Sequence, residues 1–227
     1  MKIKPNHFQS LKGTKEIIRK DGKKYTIRSN RQRFFFPDEW LVFEERLNSN
    51  QQLTFRTLIN TGARIMEAQN IKVSDIDFDR KNIVLRVTKR ILKNPKKGAE
   101  SQRKIRVLTI STQFAKYLKK QIKLHKLGPD DLLPILSTPA AHIALKKHLR
   151  EIGIKDWEMI SIHNIRKTLE TWLIALNIDS FKVTKHFGHS FAIAAQHYVS
   201  PDIFNYDDKV MMREIIGDLF KEEPQRF

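Results

Sequence analysis

Residues 61–78, TGARIMEAQNIKVSDIDF, contain the change in hydrophobic period that decides the fold class. Before this stretch, apolar residues recur at helical spacing and Gly62 interrupts the pattern. They are Trp40, Phe43, Leu47, Leu53 and Leu58. After Val73 the apolar residues alternate with polar ones, as is typical of strands. The stretch therefore marks the passage from a helical segment to a sheet.

The alternation predicts three strands close together in the chain. Ile76–Phe78 and Ile83–Val87 form a hairpin around residues 79–82, and Ile105–Ile110 supplies a third strand. From Ser111 onward the spacing is helical, with predicted helix starts at Ser111, Thr138, Ser161 and Asp179 and short helices over 192–198 and 210–220. The expected fold class is α+β, mainly α, with a small antiparallel three-stranded sheet near the N-terminal third.

The charge balance points to a polyanionic partner. The 227 residues include 43 Lys and Arg against 25 Asp and Glu, a formal net charge of +18 at pH 7. Repulsion within so basic a chain opposes folding, and a bound polyanion offsets it. Nucleic acid is the first expectation and an anionic membrane surface the second.

Composition also excludes several classes of protein. The chain has no cysteine, which excludes a disulfide scaffold, a cysteine-ligated zinc site and a thiol nucleophile. No apolar run approaches the roughly 20 residues that a membrane-spanning helix requires, and Met1–Ser10 lacks the apolar core of a signal peptide. We therefore expect a cytoplasmic protein.

The distribution of charge predicts three segments. Residues 1–36 hold eleven Lys or Arg but only Glu16 and Asp21 as acids, and they are interpreted as a basic arm with a hairpin at Asp21-Gly22. Residues 37–205 form the compact domain, and residues 206–227 form a C-terminal helix and tail. That helix packs either on its own domain or on a neighbouring protomer.

Candidate site residues lie in four motifs that are individually ordinary. His163 and Arg166 share one face near a helix start, which favours an anion. Arg64 and Glu67 have the spacing of a helix ion pair. The other two motifs are Lys89 at the end of a strand, and Gly188-His189 followed nine residues later by Tyr198. Singly, each is explained by a surface charge, a helix cap or a packed aromatic ring.

Together the motifs resemble those of the tyrosine recombinase family, also called phage-type integrases. The resemblance is carried by TGARIMEAQNIKVSDIDF, by HNIRKTLETWLIALNI and by KHFGHSFAIAAQHYVS, and it covers roughly residues 34–205. It implies the family's catalytic domain and a catalytic set made of Arg64, Lys89, His163, Arg166, His189 and Tyr198. Members usually carry a helical core-binding domain before this part, where this sequence has only the basic arm. We therefore expect either a minimal recombinase or a protein that binds DNA weakly and borrows a partner.

The resemblance assigns a role to each of these residues. Tyr198 would be the nucleophile of a 3′-phosphotyrosine intermediate, and two arginines suit the bidentate grip on phosphate oxygens. Lys89 would protonate the 5′ oxygen, and the nearby Lys93, Lys96 and Lys97 either replace it or contact the DNA backbone. His163 would move the tyrosine proton or bond the phosphate, His189 would bond the phosphate, and Glu67 would orient Arg64. Arg31 and Arg33 in the arm are further candidate DNA contacts.

The expected activity is site-specific cutting and rejoining of double-stranded DNA, as an integrase of a mobile element, without metal, cofactor or ATP. Expected partners are DNA, three further copies of the chain on two DNA sites, and an accessory DNA-bending protein. The protein would be a monomer when not bound to DNA, and associated with the nucleoid. Two alternatives stay open: a DNA-binding module derived from a recombinase, and a nicking-closing enzyme like the type IB topoisomerases.

Overall fold

The structure is a computed structural model that describes residues 15–19, 22, 24–27, 33–86, 105–188 and 203–221. Its strands are β1 (Lys15–Ile18), β2 (Lys24–Ile27), β3 (Ile76–Asp77), β4 (Asn82–Arg86) and β5 (Ile105–Thr109). Its helices are α1 (Pro37–Glu45), α2 (Ser49–Thr61), α3 (Ile65–Ala68), α4 (Thr112–Leu124), α5 (Thr138–Glu151), α6 (Ile162–Ala175), α7 (Ser180–Phe187) and α8 (Tyr206–Ile216). Short 3₁₀ turns cover Val73–Asp75 and Trp157–Met159.

Strands β3, β4 and β5 form an antiparallel sheet in that order. Lys81 occupies the left-handed region in the turn between β3 and β4, with φ of 52°. The inner face of the sheet contributes Ile83, Leu85 and Leu108 to the core, all fully buried. The predicted three-stranded sheet and the α+β class are therefore confirmed.

The helical core is built around α2 and α6, which pack on each other. Ser161 is the N-cap of helix α6. Its backbone N–H has no backbone partner within the helix and donates instead to the Asn164 side chain at 2.8 Å. The inner face of α6 then repeats at helical spacing with fully buried residues: Ile165, Leu169, Trp172 and Leu173. Because this face is buried along its whole length, α6 is a rigid support for any side chain on its first turn.

The compact domain begins before the predicted boundary at residue 37. Phe34, Phe35 and Phe36 are at most 2% exposed, and the Phe35 N–H donates to the Thr168 hydroxyl at 2.8 Å. These residues therefore belong to the domain and not to the arm. Their aromatic rings pack in the core, and removing this apolar surface from water stabilises the domain.

The hairpin predicted at Asp21-Gly22 is present, as β1 pairs antiparallel with β2. Arg19 follows β1 and attaches the hairpin to the domain. Its Nη2 lies 2.6 Å from Asp208 Oδ1 in α8, and its guanidinium stacks 3.9 Å from the centre of the Phe36 ring.

The C-terminal helix α8 packs against α1 of its own domain. It buries Met212 and Ile216 completely, while Val210 is 40% exposed. The packing of α8 within its own chain is the first of our two alternatives for this helix. The short helix predicted over 192–198 lies outside the described residues.

Within the described ranges, no helix combines the length and the apolar character needed to cross a membrane.

Candidate active site

Arg64 is placed by the turn that ends α2. Gly62 terminates the helix in the left-handed region, with φ of +60°. A Cβ there would lie 2.5 Å from the Phe187 ring, so both the conformation and the space require glycine. The turn sets Arg64 directly before α3, with its side chain 53% exposed. The guanidinium is thus available to an external ligand.

Arg166 lies on the first turns of α6 and is only 5% exposed. Its Nη1 donates to the Gly62 carbonyl at 2.5 Å, its Nη2 donates to the Phe187 carbonyl, and the group stacks 4.8 Å from the centre of the Phe187 ring. No carboxylate is among these direct contacts. Arg166 is therefore a buried cation held by neutral acceptors.

Glu67 connects two arginines through the two oxygens of its buried carboxylate. Oε1 accepts from Arg64 Nη1 at 2.8 Å, and Oε2 accepts from Arg106 Nη2 at 2.8 Å. Burial raises the pKa of Glu67, but the hydrogen bond from the Arg64 backbone and the positive charge of Arg106 outweigh it and hold that pKa below the ordinary 4.5. The carboxylate is thus ionised, as the predicted role of orienting Arg64 requires.

Arg106, on β5, was not predicted from the sequence. No local pattern indicated it, because the apolar Ile105 and Val107 alternate with it along the strand, yet in the structure they are 66% and 58% exposed and Arg106 shares the face of the buried Leu108. A charged residue on the inner face of a strand needs partners. Arg106 has them in Glu67 and in the Phe187 carbonyl.

The site carries an excess of positive charge. Burial, followed by the charges of Arg106 and Arg64, lowers the pKa of Arg166 to about 9. Three guanidinium groups converge on a region where Glu67 is the carboxylate in direct contact. Such a region favours an anion, since each bound negative charge reduces the repulsion among the cations.

A cavity of about 590 Å³ opens beside these cations. Arg64, Arg166 and the exposed His163 line it, so the structure brings these three predicted residues together. Thr138 and His142 from α5 line it as well, and nothing in their sequence context indicated this. Among the described residues, no three His, Asp or Glu side chains are grouped to hold a metal ion.

The sequence of the chain matches a known protein family over most of its length. The sequence model of the phage integrase family matches residues 41–203. The chain belongs to the phage integrase family. The resemblance found in the sequence motifs is thereby confirmed.

This family member is similar to a "probable integrase/recombinase" of Acholeplasma phage L2, with 32% identity over 176 residues. The match covers 70% of this chain and 54% of the phage protein. The chain therefore spans about half the length of that relative.

Solved structures share the fold. The XerA recombinase superposes with a TM-score of 0.57 at 19% identity, covering 80% of this chain and 64% of that protein. The Tn1549 transposon integrase, in complex with transposon right end DNA, has a TM-score of 0.57 at 16% identity and coverages of 81% and 65%. The XerH recombinase, bound to its difH substrate, has a TM-score of 0.55 at 15% identity and coverages of 79% and 55%.

Several predicted site residues of this integrase-family chain lie outside the described residues. They are Arg31, Lys89, Lys93, Lys96, Lys97, His189 and Tyr198. The described residues end shortly before two of these positions. Arg86 ends β4, three positions before Lys89, and Gly188 directly precedes His189.

The prediction that Arg33 contacts DNA is wrong. Its side chain is 0% exposed and forms ion pairs with Glu39 at 2.6 Å and Asp156 at 2.7 Å. Burial lowers the pKa of Arg33, but the two carboxylates outweigh it and raise that pKa above its ordinary value. Arg33 is a structural cation that a phosphate cannot reach in this fold.

Proposed function

We propose that this chain is a site-specific recombinase that cuts and rejoins double-stranded DNA, serving as the integrase of a mobile element. The observation that carries the proposal is the buried Arg166, which has neutral acceptors and no directly bound carboxylate. It lies beside the exposed Arg64 and His163 at a cavity open to solvent. A phosphodiester supplies the negative charge that this arrangement lacks.

The chemistry is a transfer of the phosphoryl group between two oxygens. The Tyr198 hydroxyl attacks phosphorus, a bond forms to the tyrosine oxygen, and the bond to the 5′ oxygen breaks. The tyrosine proton passes to His163, and the departing 5′ oxygen takes a proton from Lys89 or from a neighbouring lysine. Attack by a 5′ hydroxyl on the phosphotyrosine reverses each transfer and reseals the strand.

The described residues contribute positioning and charge. Arg64 and Arg166 would bind the two non-bridging phosphate oxygens, where negative charge develops in the transition state. Glu67 keeps Arg64 in place. Beyond the described residues, His189 would donate a further hydrogen bond to the phosphate. Because α6 is anchored along its buried face, Arg166 and His163 are held without reorganisation.

The assembly we propose is a tetramer on two DNA sites, formed from chains that are monomeric when not bound to DNA, with an accessory DNA-bending protein. The net charge of +18 supports a DNA-associated location in the cytoplasm. Crosslinking on DNA that carries two sites, compared with protein alone, tests this assembly. If the protein is monomeric both on DNA and alone, the result would favour a nicking-closing enzyme over a recombinase.

The decisive experiment uses supercoiled plasmid and nicked suicide duplexes, with chelator present and a detergent quench. Wild type should release relaxed topoisomers and form a covalent protein–DNA adduct, and Tyr198→Phe should do neither. Tyr206→Phe is the matched control, because Tyr206 is a 79% exposed tyrosine at the start of α8. It should behave as wild type.

Either of two results would overturn the proposal. If wild type binds DNA tightly but forms no adduct on any duplex, the chain is a DNA-binding module. If Tyr198→Phe still forms the adduct and Tyr206→Phe does not, the nucleophile has been assigned to the wrong residue.

A further inference from the structure

Arg106 occupies an unusual position in the sheet. Its side chain leaves β5 on the buried side and is 11% exposed. A strand interior is a costly place for a cation, so the residue needs a local reason to be there. Its hydrogen bonds supply one.

The two ends of the Arg106 guanidinium hold different parts of the site. Nη2 donates to Glu67 Oε2 at 2.8 Å, and the other oxygen of that carboxylate holds Arg64. Nη1 donates to the Phe187 carbonyl at 2.5 Å, and the same carbonyl accepts from Arg166. The Arg106 side chain therefore links the Arg64–Glu67 pair to the Phe187 carbonyl that also holds Arg166.

Arg106 also packs against the end of α7. Gly188 caps that helix in the left-handed region, with φ of +67°. A Cβ at Gly188 would lie 3.2 Å from Arg106 Cδ and 3.3 Å from its Nη1. The absence of a side chain at Gly188 thus leaves the space that the arginine occupies, directly before His189.

We propose that Arg106 is a positioning residue, which sets the distance between the Arg64–Glu67 pair and the end of α7. It acts through Glu67 and the Phe187 carbonyl and does not bind the phosphate. The effect on cleavage rests on the proposed function, because it concerns the same site. The effect on structure does not.

Geometry explains why the residue is arginine. A guanidinium presents separate donors in a fixed plane, so it reaches two acceptors on opposite sides at once. A lysine ammonium carries the same charge on a single nitrogen. Lysine at this position would keep the electrostatics and lose one of the two connections.

The test compares Arg106→Lys and Arg106→Met in the full chain. Single-turnover adduct formation on suicide duplexes should fall about 30-fold or more in both variants, with the affinity for DNA within about twofold of wild type. The slope of log affinity against log salt should also stay unchanged, since it counts contacts to phosphates. Circular dichroism and urea unfolding show that each variant is folded.

Arg56→Lys and Arg56→Met are the matched controls. Arg56 is also a partly buried arginine that joins two elements, because its Nε donates to Glu44 at 2.7 Å, but it lines a different cavity. Both variants should cleave as wild type does. The Arg56 variants therefore show whether the loss of a partly buried ion pair is enough to slow cleavage, or whether the Arg106–Glu67 pair in particular is required.

A second readout needs no activity. Hydrogen exchange should accelerate in the amides of 184–188, the last turn of α7, and in the Arg64 amide, which donates to Glu67. Both Arg106 variants should show this, and the Arg56 variants should not. If wild type forms no adduct on any DNA, the proposed function fails and these exchange rates alone decide the role of Arg106.

Three results would overturn the inference. Wild-type cleavage in Arg106→Lys would show that charge is sufficient. A weakened affinity with a salt slope reduced by about one would show that Arg106 binds a phosphate. Unchanged exchange in both segments would show that it positions neither.

Discussion

Arg33 and Arg166 are both buried arginines, but their surroundings are opposite. Arg33 is fully enclosed and bonded to two carboxylates, Glu39 and Asp156. Arg166 is 5% exposed and is bonded to two backbone carbonyls, and the charges of Arg106 and Arg64 act on it more strongly than those of Glu67 and Glu170, neither of which it contacts directly. The pKa of Arg33 is accordingly raised, and the pKa of Arg166 is lowered to about 9.

The difference separates a cation that holds the fold together from one that we propose binds the phosphate. Removing one partner of a compensated pair leaves the other charges buried and unpaired, which is strongly destabilising. Removing a buried cation that no carboxylate contacts directly relieves a desolvation cost instead. Burial alone does not tell the two apart, and the identity of the neighbours does.

The largest expected effect is on catalysis at Arg166. Arg166→Met should slow adduct formation on suicide duplexes about a thousandfold, since one main stabiliser of the transition-state charge is lost. The free energy of unfolding should change by less than about 1 kcal/mol, because relief of desolvation offsets the lost hydrogen bonds. Urea denaturation measures this. A loss of stability near that expected for Arg33 would erase the distinction between the two arginines.

The next effect is on stability at Arg33. Arg33→Met should lower the free energy of unfolding by about 3 kcal/mol, because the buried Asp156 and the partly buried Glu39 would lose their cation. Cleavage per folded molecule should not change. If the variant folded as wild type does and lost DNA affinity, a role for Arg33 in DNA contact would have to be restored.

A smaller effect is expected at Glu67, whose carboxylate bonds both Arg64 and Arg106. Glu67→Gln should lower the free energy of unfolding by about 2 kcal/mol at pH 7, since two guanidinium groups lose their shared charge partner. The pKa of Glu67 is held below 4.5, so the stabilisation is complete above about pH 4.5 and is lost as the pH falls through the folded pKa.

Denaturation of both proteins across pH 2 to 7 measures the Glu67 effect. The gap between wild type and Glu67→Gln should close towards the acid end. A gap that persists unchanged at the lowest pH would mean that the carboxylate charge is not its source.

The smallest effect is the binding of a simple anion. Sulfate at about five times its dissociation constant should stabilise wild type by about 1 kcal/mol, and Arg33→Met by the same amount. Arg166→Met should gain nothing beyond a chloride control at equal ionic strength. Thermal shift assays measure this, and equal gains in all three proteins would place the anion elsewhere.

Local patterns predicted much of the molecule. The passage from helix to sheet at residues 61–78, the helix from Ser161 and the spacing of His163 and Arg166 all depend on neighbours a few positions apart. Gly62 at a helix end and the Arg64–Glu67 pair followed from the same short-range rules. These features are confirmed because hydrophobic period and capping act within one or two turns.

Arg33 and Arg106 show where such reasoning ends. Asp156, which binds Arg33, is 123 positions away in the chain. The acceptors of Arg106, Glu67 and Phe187, are 39 and 81 positions away. Ion pairs at these separations depend on how helices pack against the sheet, and no local pattern contains that information.

The sequence by itself determined the fold class through its periodicity and caps, and the family through the resemblance of its motifs, because both kinds of pattern are written along the chain. Only the tertiary structure separated Arg33 from the site and brought Arg106 to it. The charge on a guanidinium is the same everywhere, and its role depends on whether packing brings a carboxylate to it. Packing brings two carboxylates to Arg33, one to Arg106 and none into direct contact with Arg166.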